Sequence, residues 1–239
     1  METFTITHPR PTGGPQPLET NLMTSYSNPY RPTPKELLMA LLCLVLLTGG
    51  AFVAAWLTQE QATFSLLPPG GTSADMQPGQ RLDLHRTFFT VWAALILVTP
   101  ALCLFPFRDS SAQAGRYWLA FWTVALLAFL VHFYWAVGVI FGYDWGRISH
   151  TARVSAPILD TVFTVWWVAD VLLAWCYRHD AWWIRTQRVL VHLLAFVLFF
   201  MGAAKEGELV TSRALGIAMA VAVLLAVLAR ATQAMRRKQ

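Results

Sequence analysis

Charged side chains are scarce in this chain. They account for 13% of its 239 residues while 56% are hydrophobic, a balance outside that of soluble globular domains. Cysteine is scarcer still. Cys43, Cys103 and Cys176 each sit in an apolar run with no CxxC spacing, which excludes a disulfide framework and a thiolate metal site and leaves them as expected core residues. The chain also lacks a Walker sequence, GxSxG, a Rossmann glycine pattern, HExxH and HxxxH, and no inverted repeat can be read from it. Phosphoryl transfer, serine hydrolysis and secondary transport therefore have no signature here. A net charge of +5 comes without any basic-aromatic motif, so no nucleic-acid partner is expected, and the charge is read as setting membrane topology.

What is present is a series of long apolar runs. About twenty residues of helix cross a hydrocarbon core, and six runs qualify: 36–57, 88–107, 116–141, 156–177, 182–203 and 213–231. The expected fold is an all-α integral membrane bundle of six transmembrane helices with short loops, spanning 36–231. Before it, residues 1–35 carry seven prolines among Thr, Ser, Asn and Gly, a composition that cannot bury a core by itself. No basic region leads into an apolar signal core, so cleavage is not expected, and this tail is read as a cytoplasmic interaction segment. The segment 58–86, rich in Pro and Gly, reads as a loop with several turns. A basic C-terminus, 232–239, closes the chain.

Twelve of the eighteen lysines and arginines fall in the tail, the second and fourth loops and the C-terminus. The positive-inside rule then puts both termini in the cytoplasm, with a bacterial inner (plasma) membrane as the expected location. Small residues at Gly49, Gly50, Ala54 and Ala55, and the GxxxG of Gly138 and Gly142, are read as helix-contact signals.

Ionisable groups inside apolar runs are costly and mark candidate sites. His132, Asp160, Asp170 and His192 are such groups, and imidazole with carboxylate suits a metal or a proton relay. At about 1.5 Å per residue, Asp170 and His192 share one depth near the inner ends of their helices, and His132 and Asp160 share another towards the outer side. Two His/Asp pairs are therefore expected, either as metal ligands or as buried hydrogen-bonded pairs that fix helix packing. The different depths of His132 and His192 argue against a bis-His haem, a single-His haem stays open, and no cofactor is named by the sequence. Trp166 and Trp167, midway along the fourth helix, either pack against a neighbour or line a cofactor or lipid site. In the turn GYDWGRISHTARVSAP, Asp144, Arg147 and His150 could join His85 in an outer-face polar site, or make only local salt bridges.

Two functions follow. The first is a non-catalytic subunit or assembly factor of a larger membrane protein complex, an energy-converting one included, contacting other subunits through the tail and Trp-rich helix faces. The second is a small membrane redox or metal-dependent enzyme acting on quinone or lipid through its His/Asp pairs.

Overall fold

The structure is a computed structural model that describes residues 28–61, 79–150, 156–176, 181–205, 207 and 209–237. The tail before Asn28, most of the loop expected after Thr58 and the stretch 151–155 of the outer turn lie outside the described residues. Among those described the fold is wholly helical. Six helices are long and apolar enough to cross a membrane: Pro34–Thr58 (α1), Gln80–Phe107 (α2 with a closing 3-10 turn), Ala112–Ile140 (α3 with a first π segment), Pro157–Cys176 (α5), Trp182–Lys205 (α6 with a second π segment) and Val210–Arg236 (α7). The short helix α4, Trp145–His150, lies in the outer turn.

α3 forms the middle of the bundle. Ten of its 22 residues, Ala112–Phe133, are buried, because it is apolar on every side and touches α1, α2 and α5. α1 and α7 are peripheral and bury only four and three residues. In a lipid-embedded chain their exposed leucines and valines need no other cover. Tyr134, Trp145, Trp182 and Trp183 are exposed near helix ends, where amphipathic rings suit a membrane interface.

Several local readings change. α2 starts two turns before the expected Phe88, because its polar first turns are held by an Asp83–Arg86 ion pair at 2.9 Å and by Arg86 lying 4.7 Å over the Trp135 ring. A hydropathy pattern sees only the lipid-length core of such a helix. Of the small residues read as contact signals Ala55 is buried, together with Ala40 and Ala51, while Gly49 and Gly50 face open space among the described residues. Gly138 leaves room for the Tyr143 side chain, and Gly142 takes a φ of 61° where the first π segment ends. That GxxxG therefore serves a turn. The cysteines are unpaired, Cys43 and Cys103 half-buried and Cys176 exposed, so none is a fully buried core residue.

Hydrogen bonds show which helix ends meet. Asn28 donates to the Ala174 carbonyl at 2.7 Å, Arg230 to the Pro106 carbonyl at 3.0 Å, and Arg116 to Glu36 at 2.9 Å. We call this the terminal end of the bundle. At the far end His85 meets Thr58, His132 meets Thr87, and Trp92 meets Ser212.

Candidate functional site

Two polar constellations lie inside the bundle. The first is near the terminal end and is centred on Asp170, which is 0% exposed. Its carboxylate accepts from Trp122 Nε1 at 2.9 Å, Gln187 Nε2 at 2.7 Å and Arg188 Nε at 3.3 Å. Gln187 in turn accepts from Trp166 Nε1 at 2.9 Å. α6 makes this possible through its period: Ile184, Arg188, Val191, His192 and Ala195 form one buried face, which carries the guanidinium and the imidazole inward together.

His192 is 3% exposed and lies between Phe105 and Trp122, with both ring centroids 3.9 Å from its own. Its Nε2 accepts from Trp118 Nε1 at 2.8 Å, since an indole nitrogen only donates. The proton is therefore on Nδ1, which donates to the Arg188 carbonyl at 2.7 Å. Both ring nitrogens are engaged. To ligate a metal, His192 would have to give up Trp118 or Arg188. Among the described residues Asp170 and His192 do not bond each other directly; they are joined through Arg188 and Trp122.

Arg188 counts towards the loop charge when the sequence alone is read. In the structure it is 2% exposed and ion-paired to Asp170 inside α6. Its position four residues before His192, on an apolar face, was the available signal. Trp118 and Trp122 are likewise four apart and reach the same network from α3.

Trp166 belongs to this network, whereas Trp167 is buried beside Trp122, with centroids 4.6 Å apart. Phe129, Phe163 and Phe199 touch Trp167 and line a cavity beyond it. Trp167 stands behind that wall, and its indole N–H has no partner among the described residues.

The cavity is the second constellation, of about 580 Å³ and towards the far end. Its wall is mostly apolar and includes both π segments, through Ala136, Val137 and Ile140 of the first and Met201, Gly202 and Ala203 of the second. A π turn widens a helix locally, and such turns recur at functional sites. His132 and Asp160 both line this cavity. His132 Nδ1 donates to the Thr87 carbonyl at 2.9 Å, which leaves Nε2 with its lone pair as the acceptor. Asp160 lies in the first turn of α5, where the helix dipole favours a carboxylate.

The structure therefore brings His132 and Asp160 to one cavity and Asp170 and His192 to one network. Among the described residues no three His, Cys, Asp or Glu side chains gather as a metal-holding group. The outer turn is more local. Asp144, just before α4, accepts from the Arg147 backbone at 3.1 Å, and His150 bonds the Gly146 carbonyl within α4 at 2.7 Å, all four residues being exposed. His85 is buried at 1% exposure and packs between α1 and α2 through Thr58, at 2.8 Å. Comparison with known protein families, with curated proteins and with solved structures finds no match for this chain.

Proposed function

We propose that this polytopic membrane protein binds a lipid-like molecule carrying a hydroxyl donor, of the lipid-alcohol or quinol class, in the cavity between its two π segments. The supporting observation is the pairing of a long apolar wall with the His132 Nε2 acceptor. Ligand pockets are of about this size and have few polar groups. The open His132 Nε2 acceptor suits a hydroxyl better than the carbonyl of an oxidised quinone, which would need a donor.

Mass spectrometry of lipids carried by the detergent-purified protein tests this reading. Wild type should retain a hydroxylated apolar molecule, His132→Phe should lose it with the fold intact, and Ala136→Phe should displace it by filling the cavity. Equal retention by all three proteins would overturn the reading.

A second reading, an accessory subunit of a larger membrane assembly, is favoured by α1. Among the described residues Gly49 and Gly50 have no atom within 4 Å of an added Cβ, so none of these covers a face suited to close helix approach. Native purification distinguishes the two, since a subunit should bring stoichiometric membrane partners that Gly50→Leu removes.

A further inference from the structure

We propose a second, separate binding site: a pocket of about 340 Å³ at the terminal end that recognises an anionic phosphate group. Among the described residues it is lined by Pro29, Tyr30, Arg108, Asp109, Ala112 and Arg185. Arg108 and Arg185 bring its cationic groups and Asp109 its carboxylate.

Arg108 carries the inference. It is 8% exposed yet lines the pocket, and its Nε, ion-paired to Asp109, has no hydrogen-bond partner among the described residues. Asp109 Oδ1 lies 3.4 Å from that Nε without the alignment of a hydrogen bond, and it also accepts from the Tyr30 hydroxyl. The guanidinium lies over aromatic rings, its Cζ 4.0 Å from the Phe105 centroid and 5.7 Å from that of Trp118. Contact with the rings restrains the donor fork, and a restrained fork suits the tetrahedral oxygens of phosphate.

α3 supplies a second, independent element. Ala112 is its first residue, and Ser111 caps the N–H of Ala114, so the N–H groups of Ala112 and Gln113 open the helix with no earlier turn to accept them. A helix start favours an anion. Arg185, exposed on the first turn of α6, adds charge from the other side. Helix starts, buried arginine and the exposed Trp182 and Trp183 of α6 place the pocket where phospholipid headgroups lie. The same chemistry would take a soluble phosphate.

Native mass spectrometry from nanodiscs of equal phosphatidylglycerol and phosphatidylcholine, with and without added inorganic phosphate, tests the site. Wild type should retain phosphatidylglycerol preferentially, and Arg108→Gln should lower that preference about tenfold, as expected for a lost charge-assisted fork. Arg185→Gln, at an exposed position that spares the fold, should lower it in the same direction. Displacement of the retained lipid by inorganic phosphate assigns the site to a soluble phosphate, and persistence assigns it to the headgroup. Equal retention of the two lipids by wild type, or an unchanged preference in both variants, would overturn the proposal.

Discussion

Arg188 bears on two buried groups at once, since its guanidinium holds Asp170 while its carbonyl accepts from His192. A buried ion pair persists when hydrogen bonds satisfy the rest of the carboxylate, as Trp122 and Gln187 do here. Asp170→Asn should therefore destabilise the protein by about 3–5 kcal/mol, because Arg188 would remain charged and uncompensated. Thermal unfolding in nanodiscs measures this, and the double variant Asp170→Leu with Arg188→Met should recover part of the loss, since Trp122 and Gln187 still lose their acceptor. Trp118→Phe keeps the ring packing but strands Nε2 of His192, for an expected cost of about 1–3 kcal/mol in the same assay. At this scale the sequence was legible where a charge interrupts an apolar run, which is how Asp170 and His192 stand out. Arg188 did not stand out, because it follows Arg185 closely and reads as loop charge until its face on α6 is considered. Trp118 and Trp122 were unreadable as hydrogen-bond donors, since aromatic residues in a membrane helix ordinarily only fill space.

Element boundaries follow a similar logic. The six spans were readable because lipid demands a helix with an apolar core of about twenty residues. Their polar first turns and both π segments were not. A π segment changes the helical period over five to seven residues here, too short a stretch to leave a pattern in hydropathy. The second π segment has a packing partner in α7, where Gly216 lies so close that an added Cβ would come within 2.8 Å of the Ala204 backbone nitrogen. Backbone cannot yield as a flexible side chain can. Gly216→Ala should push α7 away from the cavity wall and cost about 1–3 kcal/mol, the usual range for overpacking, read as a lowered unfolding temperature.

The whole molecule has two unlike ends. At the terminal end Asn28 bonds Ala174, Tyr30 packs on Trp118 with centroids 5.6 Å apart, and the Thr33 backbone donates to Glu36 at 2.8 Å. The tail read as an interaction segment thus contributes its last residues to its own bundle. Deletion through Thr33 should lower thermal stability below that of a chain lacking only residues 1–27. If both truncations unfold at one temperature, those contacts contribute nothing. The far end has instead a partly open cavity walled in part by the two π segments. Hydrostatic pressure favours states that eliminate loosely packed volume. The empty protein should therefore be compressible chiefly at one end, with hydrogen exchange under pressure rising first around Tyr134–Ile140 and Met201–Lys205 while the Asp170 network stays protected. A molecule filling the cavity would remove that compliance, so pressure resistance itself becomes a measure of occupancy.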